Sequence, residues 1–166
     1  MKQYESLNHI FDPIYNNKSK ILILGTFPSV KSRENDFYYG HPRNRFWKLI
    51  SLITDEATPD TIGEKKELLL RNNIAIWDVI KSCDIVGSSD SSIKNVMPAD
   101  LTPILQTADI QQIYGNGGKA YQLYYKYTYP STGKEMIVLP STSPANAAYS
   151  IEKLETEWSQ IKKFIT

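Results

Sequence analysis

The residues of this chain that could do chemistry stand directly behind short apolar runs. Gly25-Thr26-Phe27-Pro28-Ser29 follows the run 20–24, Asp78 follows 74–77, Asn116-Gly117-Gly118 follows 110–114, and Ser141-Thr142-Ser143-Pro144 follows 136–139. Hydroxyls, amides and a carboxylate in such places can hold water or hydrogen-bond the edge of a ligand. Other chemistries lack their residues. No phosphate loop ending in Gly-Lys-Ser/Thr occurs, neither histidine stands in a His-Glu-x-x-His spacing, and the single cysteine cannot complete a deaminase zinc set, a structural zinc site or an internal disulfide. That cysteine, Cys83, reads as a small buried hydrophobe. One competing motif is Gly115-Asn116-Gly117-Gly118-Lys119-Ala120, which fits the G-x-G-x-x-A of a dinucleotide site, with Glu135 twenty residues after Gly115. In such sites the acidic residue ends the following strand, whereas Glu135 precedes the run 136–139.

These segments need a scaffold that gathers them. The four runs are short, apolar and stopped by Gly, Pro or Asp, the pattern of buried strands. Helices are predicted between and after them. One covers 42–54, with Pro42 in its first turn and Phe46, Trp47, Leu49, Ile50 and Ile53 on its apolar side; a second covers 64–71. A short helix capped by Asp100 carries Leu101, Ile104 and Leu105; another spans 119–127. Behind Ser150, the spacing of Ile151, Leu154, Trp158, Ile161 and Ile165 predicts a C-terminal amphipathic helix. The stretch after Asp78 reads as a long loop through the polar run 87–92. Short apolar strands alternating with helices predict an α/β fold with a parallel sheet covered on both faces, because parallel strands need crossover connections. Ligands in such sheets bind beyond the carboxyl ends of the strands, where the polar segments stand. No repeat or linker divides the chain, so a single domain over 1–166 is expected.

Hydrophobic residues make up 41% and charged residues 22%, as in folded proteins. The longest apolar runs, four residues each at 21–24, 74–77 and 136–139, fall far short of the roughly 20 residues that span a bilayer. The first residues lack the pattern of a secretory signal, so a cytoplasmic location is expected. The net charge is +1, but residues 17–48 carry +5 against −4 for the remainder. A local basic face is therefore expected in the first third.

Four motifs together carry a resemblance. Gly25-Thr26-Phe27-Pro28-Ser29, the run from Phe37-Tyr38-Tyr39-Gly40-His41-Pro42-Arg43 to Asn44-Arg45-Phe46-Trp47, Ile76-Trp77-Asp78-Val79, and Leu139-Pro140-Ser141-Thr142-Ser143-Pro144-Ala145-Asn146 resemble the uracil-DNA glycosylase superfamily. The closest pattern is its hypoxanthine-DNA glycosylase branch, and the likeness covers about residues 20–158. It implies a three-layer α/β/α sandwich around a four-stranded parallel sheet, and excision of a damaged base from DNA without metal or organic cofactor. The chain departs from the uracil-specific branch at Thr26-Phe27, where that branch has an Asp after Gly-Gln, and at Leu139, where it has His. The acid-assisted mechanism of that branch does not carry over.

The resemblance implies roles for individual residues. Asn44 would be the catalytic amide, positioning water for attack on an oxocarbenium-like centre; an amide orients water but is no strong base. Thr26, Phe27, Tyr39, Asp78 and Asn116 would bind the flipped base. Phe27, Tyr38, Tyr39 and Phe46 are candidates for its stacking wall, and Asp78 would accept a hydrogen bond from a ring N–H. Ser29, His41, Arg43, Ser141, Thr142 and Ser143 would contact the DNA backbone, with Arg45 beside them. No bulky wedge follows the last loop, which continues Ala145-Asn146-Ala147. The expected activity is a monomeric, monofunctional DNA glycosylase acting on hypoxanthine, then uracil, in double-stranded and also single-stranded DNA. The alternatives are a non-catalytic module binding nucleic acid or nucleotide, and the dinucleotide site.

Overall fold

The second strand sends its side chains alternately into two different cores. A computed structural model describes residues 3–35 and 37–165; Met1, Lys2 and Asp36, counted above in the N-terminus and the charge balance, lie outside the described residues. In β2 (Ile21–Gly25), Ile21 and Ile23 join one apolar cluster, Leu22 and Leu24 the other. Period-two side chains on a strand buried from both sides require this, and the all-apolar run follows from it. With β3 (Ile74–Asp78), β6 (Gln112–Asn116) and β7 (Met136–Leu139), it forms a four-stranded parallel sheet in the order β3-β2-β6-β7. Helices α2 (Phe46–Thr54), α3 (Ile62–Arg71) and α7 (Ile151–Trp158) cover one face, while α4 (Thr102–Thr107) and α5 (Gly118–Leu123) cover the other. The expected α/β/α sandwich is present. Between β2 and α2 lies a short helix, α1 (Val30–Asn35).

Several elements are set by local chemistry visible in the sequence. Thr61 and Glu64 form a reciprocal capping box at α3, and the Ser150 hydroxyl accepts Lys153 N–H at the start of α7. α5 runs on through a π-helical turn, Tyr124–Thr128, into α6 (Tyr129–Thr132), beyond the predicted 119–127. α7 continues through a single 3₁₀ turn into α8 (Lys162–Ile165). Cys83 is buried, and burial pushes its thiol up to about 11.

Two predictions are corrected. The stretch after Asp78 is not a loop: β4 (Ile80–Ile85) and β5 (Lys94–Pro98) join β1 (Glu5–Asn8) in a separate antiparallel sheet, β1-β4-β5. Register shifts between Ile80 and Asp84 break the period-two pattern by which a strand is recognised. The run 87–92 is the connection at the far end of this hairpin. The helix predicted at 42–54 begins only at Phe46, because residues 41–45 form a turn closed by Asn44 N–H on the His41 carbonyl. Pro42 therefore stands outside the helix.

Candidate active site

One cleft opens at the carboxyl edge of the parallel sheet. It is lined by Thr26, Phe27 and Ser29 after β2, Tyr38 and Tyr39 ahead of α2, Asn44, Asp78 at the end of β3, Asn116 at the end of β6, and Ser141, Thr142 and Ser143 after β7. Its volume is about 150 Å³, below the roughly 300–1,000 Å³ of sites for drug-sized ligands. Ser88 and Asp90, from the connection between β4 and β5, form a further part of its rim. That connection is tied to α1 by Val30 N–H on the Ser88 hydroxyl and by Arg33 on the Gly87 carbonyl, at 2.8 Å each.

On one wall the direction of every hydrogen bond follows from two backbone N–H groups. Phe46 N–H donates to Asn44 Oδ1 at 3.0 Å, which fixes which end of that amide is oxygen. The Thr142 hydroxyl donates to the same oxygen at 2.8 Å. Having given its proton, it accepts from Asn116 Nδ2 at 3.0 Å, while Asn116 Oδ1 accepts Thr142 N–H at 3.0 Å. Asn44 Oδ1 thus holds two donors, and Nδ2–H is the donor this amide, which lines the cleft, can offer. Thr142 is fully enclosed. Its expected contact with DNA phosphate is corrected: its hydroxyl is spent on joining Asn44 to Asn116.

Arg45 is likewise corrected. Its guanidinium donates to the carbonyls of Thr142, Ser143, Asn146 and Tyr149, so it binds the last loop to the start of α2 instead of facing phosphate. The loop is stiffened further by its own side chains. The Ser141 hydroxyl accepts Ser143 N–H, the Ser143 hydroxyl accepts Ala145 N–H, and Asn146 Nδ2 donates to the Ser141 carbonyl. Both serine O–H groups remain available as donors. Ser29 has less to offer, since its hydroxyl accepts Ser32 N–H and donates to Ser32 Oγ. His41 and Arg43 stand outside the lining, on the turn before α2, with Arg43 exposed and its N–H on His41 Nδ1.

The opposite wall carries charge. Asp78 is 4% exposed, and its Oδ2 meets His9 Nε2 at 2.7 Å. Its Oδ1 lies over Gly25, where an added Cβ would overlap that oxygen and stand 3.1 Å from the Tyr39 hydroxyl. Only glycine fits there. Tyr39 takes a left-handed backbone, φ 54°, and stacks on Phe46 with centroids 4.0 Å apart. Its oxygen is enclosed, and none of the described residues meets it with full hydrogen-bond geometry, although the Asn116 side chain lies beside it. Burial, then the nearby Asp78, raises its pKa far above the usual phenol range against a smaller opposing pull from Asn116, so it stays a neutral phenol. Of the four aromatic candidates, Phe27, Tyr38 and Tyr39 line the cleft. Phe46 does not: it is fully buried behind Tyr39. The Tyr38 hydroxyl is taken by the Asp12 carbonyl at 2.7 Å. Sequence reasoning missed His9, which belongs to no motif and reaches Asp78 only through the unforeseen sheet.

Packing explains two of the three glycines in 115–118, while Gly118 has open space around it. A Cβ on Gly115 would stand 2.5 Å from Met136 Sδ, and one on Gly117, at φ 99°, would press on Ser141. Gly117 N–H is already closed on the Leu139 carbonyl at 2.9 Å, and Glu135 is exposed ahead of β7. With Gly117 N–H already bonded and the acidic residue ahead of its strand instead of at its end, the pattern of a dinucleotide site is incomplete. Among the described residues, no group of three or more His, Cys, Asp or Glu is placed to hold a metal, and no helix is long and apolar enough to cross a membrane.

A parallel α/β/α sandwich with a small polar cleft at its strand ends, rimmed by a serine loop, defines the class of α/β proteins whose site lies at the carboxyl edge of the sheet. A sequence model described as the Uracil DNA glycosylase superfamily matches residues 13–164, and the chain belongs to that superfamily. It is similar to a protein named hypoxanthine DNA glycosylase in Methanosarcina acetivorans, 35% identical over 153 residues, covering 91% of this chain and 95% of the relative. A second protein of that name, from Methanosarcina barkeri, is 31% identical over 155 residues, with 92% and 96% covered. The solution NMR structure of a candidate uracil DNA glycosylase from M. acetivorans superimposes with a TM-score of 0.81 at 32% identity, covering 95% of this chain and 98% of that one.

Proposed function

We propose that the chain is a monofunctional DNA glycosylase that hydrolyses the N-glycosidic bond of a flipped hypoxanthine and leaves an abasic site, with uracil as the second substrate. One observation carries the reading: an asparagine amide, Asn44, whose oxygen is locked by a backbone N–H and a buried hydroxyl, lines the same cleft as a buried carboxylate. Superfamily membership and the names of the two Methanosarcina relatives support it.

Asn44 holds the oxygen of the attacking water through Nδ2–H. Because an amide is no strong base, bond breaking runs ahead of attack: the base leaves with the electron pair of the N-glycosidic bond, water adds to the oxocarbenium-like sugar, and the proton it then loses goes to the departed base. Phe27, Tyr38 and Tyr39 wall the flipped base, and Thr26 borders it. Asp78 accepts from the ring N–H, N1 of hypoxanthine or N3 of uracil, and refuses adenine, whose unprotonated N1 is itself an acceptor. Asn116 acts on the base site through Thr142 and Asn44. Ser141 and Ser143 donate to phosphate, with Ser29, His41 and Arg43 along the approach. The protein acts as a monomer in the cytoplasm, on double-stranded and single-stranded DNA.

The test is incubation with duplexes carrying hypoxanthine, uracil, xanthine or mismatched thymine at one position, followed by alkali. Strand breaks at hypoxanthine first and uracil second are expected. Retention of every duplex without breaks would instead favour a non-catalytic binding module.

A further inference from the structure

His9 is sealed in a box of rings. Its side chain is 3% exposed, and Phe11, Phe27, Tyr38 and Trp77 surround it with centroids 5.5 to 6.3 Å away. Phe11 N–H donates to His9 Nδ1 at 3.1 Å, and a backbone N–H can only donate. Nδ1 therefore carries no proton, the ring proton is on Nε2, and Nε2–H donates to Asp78 Oδ2. The His9 main chain is pinned as well, its N–H on the Lys81 carbonyl at 2.7 Å, one step beyond the β1–β4 ladder that ends at Asn8 and Ser82. The antiparallel sheet thus delivers an imidazole of fixed tautomer to the end of a strand in the other sheet.

We propose that His9 is a positioning residue for base selection: by holding Oδ2 through Nε2–H, it fixes Asp78 Oδ1 over Gly25 as the acceptor for the ring N–H of the flipped base. This rests on the glycosylase reading and on Asp78 as the base reader. Without the imidazole, the carboxylate turns about its last torsion, and neither oxygen has a defined direction toward the base. The Gln side chain is the conservative replacement, since its carbonyl and amide flank one carbon as the two ring nitrogens flank Cε1. Glutamine can accept from Phe11 and donate to Asp78 together.

The experiment measures single-turnover cleavage of hypoxanthine and of adenine in the same duplex context, with thermal melting, for the wild type, His9→Leu, His9→Gln, Asp78→Asn and the Leu/Asn double variant. His9→Leu is expected to lower the hypoxanthine-over-adenine ratio about tenfold or more, and His9→Gln to restore it to within about twofold. The double variant is expected to match Asp78→Asn alone, because a residue acting through Asp78 has nothing left to act on. Should His9→Leu fail to fold, the double variant, which buries no unpaired carboxylate, carries the same comparison. An unchanged ratio in His9→Leu, independent effects in the double variant, or restored melting without a restored ratio in His9→Gln would overturn the proposal. A wild type that cuts hypoxanthine while Asp78→Asn keeps the full ratio removes Asp78 as reader, and this proposal with it, but leaves the glycosylase standing. A wild type that cuts no substrate removes the glycosylase reading itself.

Discussion

The two walls of the cleft are held by different kinds of support. The amide wall, Asn44 with Thr142 and Asn116, takes its orientation from the backbone N–H groups of Phe46 and Thr142, and Arg45 clamps the loop beside it. The carboxylate wall takes its support at one remove: Phe11 N–H sets the His9 ring, the ring holds one oxygen of Asp78, and Gly25 leaves room for the other. A group that must hold a reacting water gains from backbone rigidity, since small misplacements are costly in rate. A group that compares bases needs only the right polarity at one edge. The proposed function therefore assigns rate to the first wall and choice of base to the second.

The largest expected effect breaks the amide wall. Asn44→Ala should lower the single-turnover rate on hypoxanthine about 100-fold or more. It should also cost about 1 kcal/mol of stability, because Phe46 N–H and the Thr142 hydroxyl lose their acceptor. Asn44→Asp sharpens the point by keeping Oδ1 and removing the Nδ2 donor: melting should stay near wild type while the rate loss persists. A near-normal rate in Asn44→Asp would exclude the donor role.

Next in size is Gly25→Ala, which displaces Asp78 Oδ1 without touching Asn44 or Thr142. The hypoxanthine-over-adenine ratio should fall by about a decade, with a smaller change in the hypoxanthine rate. Equal losses in rate and ratio would mean that the walls do not divide the work. Arg43→Ala, outside both walls, should weaken binding to damaged and undamaged duplexes alike and reduce the slope of log K against log salt by about 1. A variant that alters base preference would contradict this placement. The smallest effect is expected from Tyr39→Phe, which removes an enclosed hydroxyl that none of the described residues meets with full hydrogen-bond geometry. Its melting temperature should be unchanged or higher, and a clear fall would show that the oxygen is paired in solution.

The amide wall and the carboxylate wall also differ in how far the sequence discloses them. Three of the four parallel strands are readable because double burial writes them as apolar runs, while β6, with Gln112, Gly115 and Asn116, is marked by the glycines that follow it. Asp78, directly behind one of these runs, stands out for that reason, whereas Asn44, in the turn ahead of α2, stands out only through the resemblance that its segment carries. What Asn44 bonds to is not readable, since Thr142 lies 98 positions away and the helix expected to begin at Pro42 begins at Phe46. The second sheet is hidden by its exposure: β1 carries one half-buried residue in four, and irregular register in β4 erases alternation. His9 is hidden with it. Thr142 and Arg45 looked like phosphate ligands because hydroxyls and guanidinium groups serve inner carbonyls and outer anions equally well.

The hold of Arg45 on the last loop has a consequence for the order in which the protein is made. Its partners among residues 142–149 lie 97 to 104 positions further along the chain. A growing chain that has only its first half can lay β2 beside β3, but it has no strand β7 and no loop to receive the guanidinium. The entropy of closing so long a span must be met by contacts already formed, so the sheet comes first and the cleft is completed last. Competence to cut DNA is then the final property the chain acquires as it folds, and the first it loses when the C-terminal segment frays.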